Sequence, residues 1–365
     1  MIIVRRLFSF EIKDIIIFNG NSTLYSYQES LRLKFSVGGC QIWVKKSNLT
    51  SLINRRSYSS HSDSKIVLSP NFVTGFTDAE GCFHIKISKS KTHSLGWRVE
   101  AVFSIKLHEK DFNIIEGIQA YFGVGKIYFG KGYVSYRVES SKHLRDTILP
   151  HFDKYPLITQ KLADYLLFKE VVRMIINKEQ LIQEGLVKIV AIKSSMNLGL
   201  SDALRTEFST QISDSYPRPL IENKKVKDPQ WVAGFTSGEG CFRVFVQEHL
   251  KNLTGFRVML GFTITQHNRD ENLMKSFIDY FGCGKIEHKG DRLDFSVKNL
   301  RDTCNIIMPF FQKYPIVGVK SKDFDDWCLV VKMIIDKEHI TNTGVEKIRK
   351  IKANMNRQRS QNEEK

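Results

Sequence analysis

The sequence predicts an α+β protein built from two copies of one domain, and two observations predict it. First, an eleven-residue block is written twice. Val73-Thr74-Gly75-Phe76-Thr77-Asp78-Ala79-Glu80-Gly81-Cys82-Phe83 returns as Val232-Ala233-Gly234-Phe235-Thr236-Ser237-Gly238-Glu239-Gly240-Cys241-Phe242, which places Glu239 at an offset of 159 from Glu80. Second, the apolar periodicity of each copy reads as a helix, two long strands, a helix, two short strands and then helices.

The match persists downstream. His108 falls on His267, Tyr121-Phe122-Gly123 on Tyr280-Phe281-Gly282, and Gly125-Lys126-Ile127 on Gly284-Lys285-Ile286. Lys154-Tyr155-Pro156 falls on Lys313-Tyr314-Pro315, Lys161 on Lys320, and Met196-Asn197 on Met355-Asn356. Leu144-Arg145-Asp146-Thr147 matches Leu300-Arg301-Asp302-Thr303 at a shorter offset of 156, which predicts compensating changes in loop length.

Each element has a local reason. Pro70 and Pro229 stand near the start of the motif helices, where a missing N–H costs nothing. Phe83, Ile85 and Ile87 alternate with Cys82, His84, Lys86 and Ser88, a strand period. The next strand sets Val99, Ala101, Phe103 and Ile105 against Arg98, Glu100, Val102, Ser104 and Lys106. Tyr133, Ser135, Arg137 and Glu139 oppose Val134, Tyr136 and Val138 in the same way. The second copy places Arg243, Gln247, Arg257, Thr263, Thr265, Arg292, Asp294, Ser296 and Lys298 on the equivalent polar face. These patterns predict antiparallel sheets with one apolar and one cation-rich face. Phe112, Ile115, Ile118 and Tyr121-Phe122 have helical spacing, and 161–178 and 320–337 read as long amphipathic helices. The chain divides into a basic extension (1–66) expected to be poorly ordered, a first domain (67–197), a linker (198–229) with a short helix near 201–208, a second domain (230–357) and a polar tail (358–365).

With 55 lysines and arginines against 39 acids, the formal charge is +16. Such an excess favours a polyanionic partner, because cations that neutralise phosphates release condensed counterions. The six cysteines have no C-x-x-C spacing, so a zinc site or disulfide framework is not expected. No run reaches the ~18–20 apolar residues of a membrane span, and no membrane partner is expected. The stretch 1–65 is serine-rich and poor in acids, which fits either a mitochondrial presequence or a translated extension that does not fold.

The repeated block carries the chemistry. Gly75 and Ala79, like Gly234 and Gly238, lie four apart, so each motif helix offers a nearly bare strip along which two backbones approach closely. Packed side by side, the helices bring Glu80 and Glu239 together at their C-terminal ends. Acids there are disfavoured by the helix dipole and repel one another, unless a cation lies between them. Hard oxygen donors with few other ligands suit magnesium, which also binds phosphate oxygens. The plainer reading is a glutamate hydrogen-bonded to local amides; its repetition in one context favours the metal. Lys161 and Lys320 follow their glutamates at the same spacing. Two readings stand for them: transition-state charge stabilisation or activation of water near a scissile phosphate, or else a surface lysine. The polar strand faces suit a major groove, which admits a two-stranded ribbon. Val102, Phe245 and Met259 on those faces either touch thymine methyls or pack.

The two blocks resemble the LAGLIDADG motif of homing endonucleases of organellar group I introns, in the single-chain, two-motif form found in fungal mitochondria. The resemblance runs from about Asn71 to Asn356 and includes Lys154-Tyr155-Pro156-Leu157-Ile158-Thr159-Gln160-Lys161 and Gly318-Val319-Lys320. It implies two αββαββα homing-endonuclease domains whose sheets form a saddle on a long asymmetric duplex. It further implies a monomer with an internal pseudo-dimer, magnesium-dependent double-strand cleavage with short 3′ overhangs, and intron homing. By position, Glu80 and Glu239 bind the metal with the carbonyls of Ala79 and Gly238, and Lys161 and Lys320 match basic active-site positions. The copies depart from one another at Asp78 against Ser237, which would suit a non-palindromic site and unequal strand cleavage. A group I intron RNA maturase on the same fold, with intron RNA as partner, is the alternative, and a DNA-binding regulator without nuclease activity is a third.

Overall fold

The computed structural model describes residues 32–37, 40–45, 66–211, 216–222, 225–356 and 359. It separates into two units, 1–65 and 66–365. In the first, β1 (Arg32–Val37) and β2 (Cys40–Lys45) pair antiparallel, Val37 opposite Cys40. The expectation of a poorly ordered stretch assigned no element here. Alternation at Leu33, Phe35 and Val37 before a Gly-Gly dipeptide is a hairpin signal that the basic composition obscured. The remainder of that segment, and most of the 358–365 tail, lie outside the described residues.

In the second unit each repeat opens with its motif helix, α1 (Pro70–Glu80) and, later, α7 (Pro229–Glu239). Both have proline in the first turn. Ser69 caps α1 by accepting from the Phe72 N–H, and Asp228 caps α7 by accepting from those of Gln230 and Trp231. Both helices end at a glycine in extended conformation, so the chain passes straight from the glutamate into a strand.

The first repeat continues with β3 (Gly81–Lys89), β4 (Trp97–His108), α2 (Phe112–Phe122), β5 (Lys126–Gly130), β6 (Tyr133–Val138), α3 (Leu149–Lys154), α4 (Lys161–Ile176) and α5 (Gln183–Ser194). The linker carries α6 (Asp202–Glu207). The second repeat follows α7 with β7 (Gly240–Glu248), β8 (Phe256–His267), α8 (Glu271–Phe281), β9 (Lys285–Lys289), β10 (Arg292–Val297), α9 (Met308–Lys313), α10 (Val319–Ile335) and α11 (Asn342–Ala353). The two antiparallel sheets have orders β3-β4-β6-β5 and β7-β8-β10-β9.

The inner face of each sheet carries the core. Phe83 and Phe103 stack at 5.0 Å, and Phe242 and Phe262 at 5.2 Å. Phe152 and Phe168 close over the first pair, Phe311 and Trp327 over the second, all fully buried. Each such side chain contributes about 1.5–3 kcal/mol of burial. The far end of the β3–β4 hairpin is covered differently. There Trp97 packs on Phe208 of the linker at 5.4 Å, and Leu186, Val190 and Leu204 complete the patch.

The shorter offset at 144–147 does not survive. The irregular helical turns occupy Leu144–Ile148 and Thr303–Ile307, so the register set by the two glutamates is unbroken there. Leu144 therefore corresponds to Thr303, and the Leu-Arg-Asp-Thr coincidence reflects sequence alone. Both turns follow directly on a short helical segment, Ser141–His143 in one repeat and Leu300–Asp302 in the other, each capped by the residue before it.

Candidate active site and nucleic-acid interface

Helices α1 and α7 pack directly against one another along their glycines. A Cβ on Gly75 would lie 2.1 Å from the Trp231 carbonyl oxygen, and one on Gly234 would lie 2.1 Å from that of Phe72. One on Gly238 would meet the Ala79 Cβ at 2.4 Å and Glu80 Oε1 at 3.4 Å. The glutamate of one repeat thus lies against the helix end of the other.

Electrostatics at this junction follow from that closeness. Burial raises the Glu239 carboxyl to about 7, and Glu80 pushes it further in the same direction, against the pull of Lys320. Glu80 is raised by burial and opposed by Lys320 and then Lys161. Lys161 Nζ donates to the carbonyls of Thr77 at 2.9 Å and Ala79 at 3.1 Å. Lys320 Nζ does the same to Thr236 at 3.3 Å and Gly238 at 2.5 Å. The lysines therefore sit at the negative ends of the motif helices, where a cation is favoured. Burial lowers both ammonium groups, and the acids of the site counteract it. The surface-lysine reading is thereby excluded.

Among the described residues no three His, Cys, Asp or Glu side chains cluster as ligands. The available donors are two carboxylates and main-chain carbonyls, an oxygen set that fits a hard divalent cation keeping several waters. The Ala79 and Gly238 carbonyls already accept from the lysines, and a carbonyl has a second lone pair. Glu80, Asp111, Ser237, Gly238, Arg243 and Lys320 line a cleft of about 900 Å³.

On the strand faces, Lys86, Arg98, Lys106, Gln247, Arg257, Arg292 and Lys298 are exposed. Cys82, His84, Ser88, Glu100, Ser104, Arg137, Arg243 and Thr265 are half-buried. Ser135, Thr263, Asp294 and Ser296 are buried, which corrects their assignment as surface contacts. Arg137 covers Ser135 through a 3.2 Å bond from its Nε and stacks over Tyr128. Asp294 is consumed by Thr265 at 2.6 Å and Lys289 at 2.5 Å. Glu100 pairs with both Lys86 and Arg98, so it organises cations rather than facing a ligand alone. Val102 is buried, and Phe245 lies 3.1 Å from where a Gly261 Cβ would stand. Both therefore pack.

Several residues noted only by their positions in the repeat have structural roles that the sequence did not show. Asn197 and Asn356, in left-handed conformation, donate from Nδ2 to the carbonyls of Phe83 and Phe242 and so tie the last helices to the first strands. Their repetition was the available signal. Asp78 accepts from the N–H groups of Ile158 and Thr159, the Thr159 hydroxyl and the Trp231 indole. Its counterpart Ser237 accepts from Val317 N–H and donates to Ala233 O. Both are buried, but only Asp78 reaches the other repeat, through Trp231, while Ser237 bonds within its own.

The fold and site define a class: a tandem-repeat protein whose abutting helix ends pair two carboxylates beside two cation-bearing sheets, equipped for a metal ion and a polyanion. The chain belongs to the LAGLIDADG endonuclease family, which matches residues 73–172 and 232–331. It is 36% identical over 332 residues to probable intron-encoded endonuclease 3 of Neurospora crassa, covering 89% of this chain. It spans 62% of that protein's length. The structure of the homing endonuclease I-SmaMI bound to cleaved DNA superimposes with a TM-score of 0.78 at 44% identity, covering 80% of this chain and 98% of that one. I-SmaMI on an uncleaved DNA target with calcium ions gives 0.77 at 44% identity, covering 79% and 99%. Other I-SmaMI structures replace two lysines with alanine, singly and together. The separation of those two lysines along their chain equals that of Lys161 and Lys320.

Proposed function

We propose that this protein is a site-specific endonuclease that cuts both strands of a long asymmetric DNA target with magnesium and promotes homing of its intron. The observation that carries the reading is the pair Glu80 and Glu239, one from each repeat, forced together by glycine packing with raised carboxyl pKa values. Glu80 and Glu239, with the Ala79 and Gly238 carbonyls, would hold the divalent cation. When bound, it supplies neutralisation of phosphate charge and activation of water. Lys161 and Lys320 place positive charge beside the scissile phosphates and hold the helix ends that carry the glutamates. The exposed lysines and arginines of the strand faces would fix the duplex by its phosphates, while Gln247 and Arg257, exposed and opposite one another on β7 and β8, would read base edges. Mitochondrial residence accords with relatives such as the Saccharomyces cerevisiae mitochondrial protein RF1.

The test incubates purified protein and magnesium with the uninterrupted duplex formed by joining the two sequences that flank the reading frame's intron. One double-strand cut at the junction is expected. No cut, with tight binding to the intron RNA instead, would overturn the reading in favour of a splicing cofactor.

A further inference from the structure

The helices that carry the two active-site lysines receive no side-chain cap from the residue that precedes them. Gln160 precedes α4 and makes no side-chain capping bond, and Gly318 precedes α10 and has no side chain to make one. First-turn N–H groups left without an acceptor are costly, so another group must take them. The Lys161 N–H finds an acceptor within its own repeat, the Thr159 hydroxyl at 3.2 Å, but the N–H just before each lysine is accepted from the opposite repeat. Asp270, at the start of α8 in the second repeat, accepts from the Gln160 N–H at 2.7 Å through Oδ1. Asp111, at the start of α2 in the first repeat, accepts from the Val319 N–H at 2.8 Å through Oδ1.

The two bonds are equivalent under the repeat. Asp111 and Asp270 occupy matching positions in the two copies, as do Gln160 and Val319, and each donor immediately precedes its lysine. Local packing enforces the crossing. Gly318 has φ +84°, and a Cβ there would lie 2.6 Å from Asp111 Oδ1 and 2.5 Å from Ile114 Cδ1, so the loop before Lys320 is moulded onto the first repeat. Asp270 is buried, with Arg269 alongside it at 3.9 Å. Asp111 lines the cleft that also contains Glu80 and Lys320.

We infer that Asp111 and Asp270 are positioning residues that set each active-site lysine from the opposite repeat, Asp270 acting on Lys161 and Asp111 on Lys320. This exchange links the two strand cleavages: the ammonium of each lysine is held by its own motif helix, but the start of the helix that carries it is set in full only when the other repeat is docked. A carboxylate at the start of a helix also complements its dipole, so the trans cap both satisfies the N–H and fixes the helix start from which the lysine side chain springs. The inference rests on the proposed role of the lysines.

The test uses full-length protein and a duplex target labelled separately on each strand, with strand-specific nicking rates read in single turnover. Lys161→Met and Lys320→Met first establish which strand depends on which lysine. Asp270→Ala is expected to slow the Lys161-dependent strand about tenfold more than the other, and Asp111→Ala the Lys320-dependent strand. Asp270→Asn and Asp111→Asn keep an acceptor oxygen and should recover most of the rate. Val319→Pro removes the donor and leaves Asp111 in place, at a helix position that tolerates proline, and should reproduce Asp111→Ala. DNA affinity in calcium should remain near that of the unaltered protein in each case.

Equal slowing of both strands by the alanine variants, failure of the asparagine variants to recover rate, or an effect on the strand served by the lysine of the aspartate's own repeat would each overturn the inference. If the lysine variants leave both strand rates unchanged, the assignment of the lysines falls and this inference with it. If the lysine variants act and the aspartate variants do not, only the trans positioning falls.

Discussion

Trp231 Nε1 donates a 2.8 Å hydrogen bond to Asp78 Oδ2, from one motif helix to the other. The repeat does not return it, because the corresponding residues are Phe72 and Ser237. The internal symmetry is thus broken at the centre of the interface. Trp231→Phe keeps an aromatic ring and loses the bond, and should lower unfolding free energy by about 1.5–3 kcal/mol. Asp78→Ala also strands the Ile158 and Thr159 N–H groups and, at about 1–3 kcal/mol for each buried donor left unsatisfied, should cost more than Trp231→Phe. Urea denaturation measures both, and a wild-type midpoint for Asp78→Ala would contradict the anchor role.

Gly234 sits where a side chain has no room. A methyl group there would meet the Phe72 carbonyl oxygen at 2.1 Å, and neither helix backbone can shift without moving a glutamate. Gly234→Ala should cost about 2–4 kcal/mol and depress cleavage more than binding. Melting temperature and single-turnover rate check this together.

His151 gives a pH signature to the first repeat. Its ring lies 3.1 Å from both the Thr74 and Tyr121 hydroxyls, and burial holds its pKa down to about 4. The unfolded chain takes up this proton near the usual value of about 6.5. Between those values the unfolded state binds more protons, so stability is full above about 6.5 and falls as pH drops towards 4, by at most about 3 kcal/mol. His151→Phe copies the second repeat, where Phe310 stands, and should remove this part of the dependence. Denaturation midpoints at pH 5 and pH 7.5 are the measurement.

Glu239 behaves in the opposite sense in the metal-free protein. Its carboxyl is raised to about 7, so the stability it lends is present below about 4.5 and lost as pH rises through 7. With chelator at pH 8, Glu239→Gln should therefore be more stable than the unaltered protein by about 1–2 kcal/mol. Calorimetry with EDTA checks the sign, and a destabilised variant would contradict the buried repulsion.

How much of this was legible depended on whether a residue acts within its own stretch of chain. The repeat, the motif helices, the strands and the glycine strip follow from local pattern, and Glu80 and Glu239 stand out because the whole block is copied. Lys161 and Lys320 were visible as a matched pair but not as half-buried groups bound to the motif-helix ends, since their carbonyl acceptors lie far away along the chain. Asp111 and Asp270 gave no signal at all: an acid at the start of a helix reads as a local cap, and nothing in sequence spacing says that the N–H it serves belongs to the other repeat. Ser135, Thr263, Asp294 and Ser296 alternate correctly onto the polar face. Alternation assigns a face, however, and cannot reveal that side chains on that face bond to one another, as Arg137 does to Ser135 and Lys289 to Asp294. The false register at Leu144 shows the reverse error, four matching residues whose backbone places disagree.

The proposed cutting centre draws one glutamate from each repeat and needs both with the metal. Its direct measurement is single-turnover cleavage of the duplex target with magnesium by the unaltered protein, Glu80→Gln and Glu239→Gln, with DNA affinity measured in parallel. Either substitution is expected to lower double-strand cleavage by at least about a thousandfold while affinity stays within about threefold. Retained double-strand cleavage by either variant would contradict a shared centre.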